Sequence, residues 1–275
     1  MSPKPDDFVV VERGEAPLIL SMPHVGVGLP AGFETRFVSP WLARRDADWH
    51  VDKLYAFARD LGATIVRTTV SRSVIDLNRD PSGQSLYPGQ ATTGLCPVES
   101  FDGEPLYRPG EEPDADEIAA RREAWFGPYH WALTMEIERL KAAHAKVVVY
   151  DCHSIRSIIP RLFPGELPQF NIGTNSGAAC AFELRAAVEA PCAASGLGYV
   201  VDDRFKGGWI TRHYGRPEEG VHAIQMELAI RGYLPEPEIV DEGNWPVAFD
   251  RRYAEPVTNV LRQALEGALS FARSS

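Results

Sequence analysis

The sequence predicts an α/β sandwich, a β-sheet covered by helices. Two observations predict it. Short β-rich runs alternate with stretches of helical periodicity along the chain. Two histidines also stand just behind apolar strand-like runs, at the strand ends that open onto the ligand crevice in such folds. With 275 residues, the chain is long enough for one large domain with a buried core.

The elements follow in order. Residues 18–22 read as a strand leading into Pro23-His24-Val25-Gly26. Val51, Leu54, Tyr55, Ala58 and Leu61 recur at helical spacing and Gly62 is a stop signal, which predicts a helix with Asp48 in its first turn. Residues 64–70 form the next strand. A long loop, 80–113, is rich in Gly and Pro and contains Tyr87-Pro88-Gly89-Gln90-Ala91-Thr92-Thr93-Gly94-Leu95-Cys96. Its Tyr, Thr, Leu and Cys residues predict packed cover over a site rather than disorder. A helix starts near Asp114, with Glu117 as its capping-box partner, and runs to about His144, kinked or split by Pro128. A strand over 146–150 then precedes Asp151-Cys152-His153-Ser154. A helix over 176–194, strands over 199–202 and 223–228, and a helix over 254–272 complete the chain. The last carries Val257, Val260, Leu261, Leu265 and Leu269 on one side.

Composition excludes some function classes. A formal net charge of -10 and a pI near 5.2 argue against nucleic acid or an anionic membrane as partner. In such a chain, clustered arginines point to a small anionic ligand that needs local positive charge. Four widely spaced cysteines, Cys96, Cys152, Cys180 and Cys192, form no Cys-x-x-Cys motif and suit a reducing cytoplasm. No apolar run has the length of a membrane span, and Met1-Ser2-Pro3-Lys4-Pro5-Asp6-Asp7 lacks a signal-peptide core. A cytoplasmic location is therefore expected.

His24 and His153 read as metal ligands on separate strands, with Asp151 placed to orient His153 or join the site. A hydrolytic zinc centre needs three N/O ligands and one open position for water. Asp48 is the third candidate, in competition with Asp46, His50 and Asp52. Any one of these histidines alone reads better as a hydrogen-bonded strand-end residue; two such sites together shift the balance toward the metal. Ser71-Arg72-Ser73-Val74-Ile75-Asp76-Leu77-Asn78-Arg79-Asp80-Pro81 suggests an anion site built on Arg72, Asn78 and Arg79, although Arg79 could simply pair with Asp76 or Asp80 on a turn. A second arginine loop, Lys206-Gly207-Gly208-Trp209-Ile210-Thr211-Arg212, would let backbone approach a ligand closely at its glycines. Glu227 lies in an otherwise strand-like run, where a carboxylate is costly unless paired or functional, and is the candidate general base.

Together, Pro23-His24-Val25-Gly26, Asp48-Trp49-His50, Ser71-Arg72, Asp76-Leu77-Asn78-Arg79, Ser85-Leu86-Tyr87-Pro88-Gly89-Gln90, Asp151-Cys152-His153-Ser154, Gly208-Trp209-Ile210-Thr211-Arg212 and Gln225-Met226-Glu227 resemble the N-formylglutamate amidohydrolase family over nearly the whole chain. The resemblance implies a single catalytic domain over residues 1–275. It also implies a three-layer α/β sandwich with a mixed central sheet and a phosphorylase/hydrolase-like, zinc-carboxypeptidase-like core. It further implies zinc-dependent release of formate from N-formyl-L-glutamate, the last step of a histidine-degradation route, with one Zn²⁺ or another divalent metal. On that resemblance His24, Asp48 and His153 match metal ligands and Glu227 the base. Asn78, Arg79 and Arg212 match substrate-binding residues, with Arg72 an addition. One departure is Asp80, where proline is expected in close members and where a negative charge would weaken carboxylate binding by Arg79. The competing readings are a hydrolase of N-formyl-aspartate or another N-acyl amino acid, and a metal-independent binding protein for acidic amino acids. No protein partner is implied.

Overall fold

The computed structural model describes residues 8–86, 89 and 92–274. Seven strands, β1 (Val9–Glu12), β2 (Leu18–Met22), β3 (Thr64–Thr68), β4 (Val147–Ile155), β5 (Phe170–Gly173), β6 (Tyr199–Val201) and β7 (Val221–Ala229), form one sheet in the order β1-β3-β2-β4-β7-β5-β6. The sheet is mixed. The run β3-β2-β4-β7 is parallel, whereas β1 joins β3 and β5 joins β7 antiparallel. The helices are α1 (Leu42–Arg45), α2 (Val51–Leu54), α3 (Ala115–Arg121), α4 (Gly127–Lys141), α5 (Phe182–Ala194), α6 (Trp209–Tyr214) and α7 (Arg251–Arg273). Among the described residues no helix is long and apolar enough to cross a membrane.

Strand alternation builds the three layers, because successive side chains point to opposite faces. Leu18, Leu20, Val148, Tyr150, Ile224 and Met226 pack into one cluster with Leu184 of α5 and Leu261 of α7. Ile19, Val147, Val149, Val221 and Ala223 pack into the other with Tyr129, Leu133 and Ile137 of α4. The central strands are therefore buried on both faces, as a parallel sheet requires. The four cysteines are buried free thiols.

Several elements depart from expectation. The strand expected over 146–150 runs on to Ile155, so His153 lies inside it and not behind it. Its polar end stays in the ladder because every residue from Val147 to Ile155 is paired with β7. The helix expected after residue 50 is a single α turn, Val51–Leu54, followed by a 3-10 turn over Ala56–Arg59. Its start is set by His50, whose φ of 61° is left-handed, so Asp48 precedes the helix. The long helix splits as expected: a π-helical turn, Arg122–Phe126, separates α3 from α4, and Pro128 sits in the first turn of α4. Asp114 caps α3, its Oδ1 accepting from Glu117 N at 2.8 Å. Glu117 does not complete the capping box, because its carboxylate accepts from Arg36 and Arg121. The helix expected from 176 begins at Phe182, behind a turn with positive φ at Asn175 and Ser176.

Candidate active site

The sheet itself assembles the site. On β4 and β7 the face that carries Val149 and Ala223 continues, two residues at a time, to Asp151 and His153 and to Gln225 and Glu227. The parallel register sets Asp151 beside Gln225 and His153 beside Glu227. All four are buried. His24 follows β2, the neighbour of β4, and Asp48 enters from the segment before α2, its N–H donating to His24 O at 3.0 Å.

His24, Asp48 and His153 offer donor atoms that all lie within 4.8 Å of one another. Asp48 Oδ2 is 3.1 Å from His153 Nδ1 and 3.7 Å from His24 Nδ1. The opposite nitrogens face other carboxylates: His24 Nε2 is 2.7 Å from Asp76 Oδ1, and His153 Nε2 is 2.9 Å from Asp151 Oδ2. This is the carboxylate–histidine arrangement that orients imidazole ligands and raises their basicity. Among the described residues His24 Nδ1 and Asp48 Oδ1 are buried without a hydrogen-bond partner, an expensive condition in a protein interior, although Arg72 Nη1 lies 3.5 Å from Asp48 Oδ1. Two imidazoles and a carboxylate with these orphaned atoms fit a divalent cation of the zinc type and leave a coordination position for water.

The rival ligands are engaged elsewhere. Asp46 Oδ2 accepts from Phe101 N at 2.7 Å, and Asp46 Oδ1 lies 3.6 Å from Arg45 and 3.5 Å from Arg156. His50 Nε2 lies 3.1 Å from Val247 O, and Asp52 belongs to α2.

Electrostatics separate the titrating groups. Burial, assisted by Arg72, holds His24 below the usual histidine range. Burial acts the same way on His153, but Asp151 and Asp48 outweigh it and hold that imidazole well above the range. Asp151 and Asp48 thus favour positive charge at His153, while burial and Arg72 oppose it at His24. Burial pushes Glu227 up to about 7, with Asp48 and Asp151 adding to the rise and His153 and Arg72 opposing it. A carboxyl group tuned that high suits proton transfer near neutrality.

The arginine segment wraps the other side. Arg72 is buried, with Nη2 donating to Asp76 Oδ2 at 2.7 Å and Nη1 3.5 Å from Asp48 Oδ1. Asn78 Nδ2 donates to Asp151 Oδ2 at 3.0 Å, while its Oδ1 accepts from Ile210 N at 2.7 Å. That contact explains Gly208, where an added Cβ would lie 2.4 Å from Asn78 Nδ2. Arg79 is held by Thr93, through Nε to O at 3.1 Å and Nη2 to Oγ1 at 3.0 Å, and lies 3.5 Å from Asp76. Asp80 turns to its own loop, Oδ1 accepting from Ser82 N at 2.8 Å. Gln225 links the two walls: its Oε1 accepts from Gly208 N at 2.8 Å and its Nε2 donates to Glu227 Oε2 at 3.2 Å.

These groups surround one cavity, lined by His24, His153, Glu227, Arg72, Asn78 and Arg79. Thr92 and Thr93 bring the long loop onto its wall. Tyr87, Pro88, Gln90 and Ala91 of that loop's motif lie outside the described residues, as do residues 1–7. Arg212 is not on the cavity wall, and its Nε donates to Gly207 O at 2.9 Å. Gln225, Arg204 and the orienting Asp76 are polar contributors that carried no assigned role in the sequence. The alternation Gln225-Met226-Glu227 was the available signal for the first.

Fold and site together define an α/β protein with a buried histidine–carboxylate donor set and a carboxylate poised for proton transfer. A family model described as N-formylglutamate amidohydrolase matches residues 16–234. The chain belongs to that family. It is 45% identical over 270 residues to an N-formylglutamate deformylase of Pseudomonas aeruginosa, covering 98% of each chain. It is 42% identical over 267 residues to an N-formylglutamate deformylase of Pseudomonas putida, covering 97% of each. The crystal structure of N-formylglutamate amidohydrolase from Ralstonia eutropha JMP134 shares the fold, with a TM-score of 0.78 and 24% identity over 97% of this chain and 98% of that one.

Proposed function

We propose that this chain, acting as one catalytic domain, hydrolyses N-formyl-L-glutamate to formate and L-glutamate. The observation that carries the reading is the convergence of His24, His153, Glu227 and Arg79 on one cavity, with the Asp48 carboxylate beside the two imidazoles. The chain-long identity to deformylases supports the choice of substrate. In a histidine-degradation route this reaction would be the final, glutamate-releasing step.

His24, Asp48 and His153 would hold a zinc ion, which lowers the pKa of a water molecule and polarises a carbonyl oxygen. Asp76 and Asp151 fix the two imidazoles so that both Nδ1 atoms face Asp48. Glu227 takes a proton from the attacking water as its oxygen bonds to the formyl carbon. It returns that proton to the amide nitrogen as the C–N bond breaks. Gln225 holds Glu227 in place from the same strand face. Arg79 binds a substrate carboxylate, while Asn78 shapes the wall and Arg72 balances the charge of Asp76 and Asp48.

The test is formate release by purified protein, stripped of metal and then reloaded with Zn²⁺. N-formyl-L-glutamate, N-formyl-L-aspartate and N-acetyl-L-aspartate are supplied in parallel. Activity should be restored by zinc and prefer N-formyl-L-glutamate. Preference for another substrate would overturn the specificity, and binding without turnover after full loading would leave a binding protein.

A further inference from the structure

We infer that Thr93 is an internal stand-in for a substrate carboxylate: it occupies the guanidinium fork of Arg79 and gives that fork up when substrate binds. The inference deepens the deformylase reading and rests on it, because that reading makes Arg79 the residue that receives a substrate carboxylate.

The contacts of Arg79 lead to it. A guanidinium presents a carboxylate with two edges that carry a pair of N–H donors, Nε with Nη2 and Nη1 with Nη2. Thr93 holds both ends of the first edge, its backbone O accepting from Nε at 3.1 Å and its Oγ1 from Nη2 at 3.0 Å. On the second edge, Nη1 donates to Asn78 O at 3.2 Å and Nη2 lies 3.5 Å from Asp76 Oδ2. Two-point binding of a carboxylate at Arg79 therefore requires one of these neighbours to give way.

The neighbours are not equally fixed. Asp76 and Asn78 are buried. Asp76 Oδ1 accepts from Asn78 N at 2.9 Å and lies 2.7 Å from His24 Nε2, while the Asn78 side chain bonds to Asp151 and to Ile210 N. Moving either would disturb the imidazoles beside Asp48. Thr93 is half-buried in the long loop and is followed by the exposed Gly94. The chain is pinned two residues further on, at Leu95, whose O accepts from Asp76 N at 2.7 Å. Thr93 can thus withdraw while Leu95 stays in place, and Thr92 and Thr93 both belong to the cavity wall.

The exchange favours an anion. A carboxylate brings full negative charge to the fork, where the two Thr93 oxygens bring only dipoles. A neutral amide brings no charge and does not offset the loss of the Thr93 contacts. Before substrate arrives, the same contacts keep the Arg79 donors satisfied, since a donor left without a partner is costly.

The experiment measures KM for N-formyl-L-glutamate, N-formyl-L-glutamine and N-formyl-L-isoglutamine in zinc-loaded wild type, Thr93→Val and Thr93→Ser. Thr93→Val removes the hydroxyl at nearly constant shape and should lower KM for N-formyl-L-glutamate roughly threefold to tenfold, the worth of one hydrogen bond. The fall should be absent for the one monoamide that lacks the carboxylate held by Arg79. Thr93→Ser keeps the hydroxyl and should reverse the effect. A higher KM in Thr93→Val, the mark of a residue that only positions Arg79, would overturn the inference, as would an unchanged KM or an equal fall on all three compounds. Calorimetric binding of L-glutamate separates this inference from the reading it rests on. Wild type without turnover sinks the deformylase reading, yet tighter L-glutamate binding by Thr93→Val still supports the stand-in, and unchanged or weaker binding overturns it.

Discussion

At Glu227 the demands of burial and of chemistry coincide: the carboxyl is pushed up to about 7 and held by Gln225. Glu227→Gln keeps the shape and removes the proposed base. Turnover should fall about 10²- to 10⁴-fold, the usual contribution of a positioned base, while bound metal stays at the wild-type ratio. Steady-state kinetics with elemental analysis checks this; wild-type turnover at full metal content would remove the base role. His24→Ala should instead lower metal content itself. The candidate ligands His24 and His153 were legible because a polar residue in or behind an apolar strand needs a reason. Choosing Asp48 from Asp46, His50 and Asp52 required the fold, because that choice depends on which side chains find other partners, such as Phe101 N for Asp46. Asp76 was legible only as a turn residue, since nothing local in its sequence reveals the imidazole 2.7 Å away.

Among the elements, α4 and α6 are joined to the arginine segment by one side chain. His130 of α4 places Nε2 2.9 Å from Leu77 O and Nδ1 2.9 Å from Tyr214 Oη, so a neutral ring can donate at one side and accept at the other. Burial drives its pKa down to about 3. The folded form therefore keeps His130 neutral, and its contribution to stability is complete above the unfolded value near 6.5. That contribution is lost as pH falls from there toward 3, because only the unfolded chain takes up the proton. Between pH 7 and pH 5 the loss is roughly 2 kcal/mol. Urea unfolding at both pH values should show a pH-dependent loss that is smaller by roughly 2 kcal/mol in His130→Gln than in wild type; equal losses would contradict it. The strands β2, β3, β4, β6 and β7 were each legible in part from apolar runs. β5 was not, since it includes Asn171 and Gly173, and β1 was not read although Val9, Val10 and Val11 form an apolar run. The short α2 shows why periodicity alone misleads: Val51, Leu54, Tyr55 and Ala58 are buried at helical spacing, yet the chain changes to a 3-10 turn between them.

For the whole molecule, Asp48, Asp76 and Asp151 place three carboxylates in the interior beside two apolar layers. A cation bound only by the folded form stabilises it by mass action. Zinc at about a thousand times its Kd should contribute about 4 kcal/mol, a rise in Tm on the order of 10 °C for a chain of this size. Calorimetry with zinc and with a chelator measures it, and identical Tm values would count against the donor set. The order of the strands also imposes an order in time. All three candidate ligands have been synthesised once residue 153 has been made, but the strand that pairs with the other edge of β4 has not, because β7 begins only at Val221. The nascent chain thus carries all three candidate ligands through nearly seventy further residues before the strand beside His153 exists. The wall that Gln225 and Glu227 give the cavity is complete only once that last central strand has paired with β4.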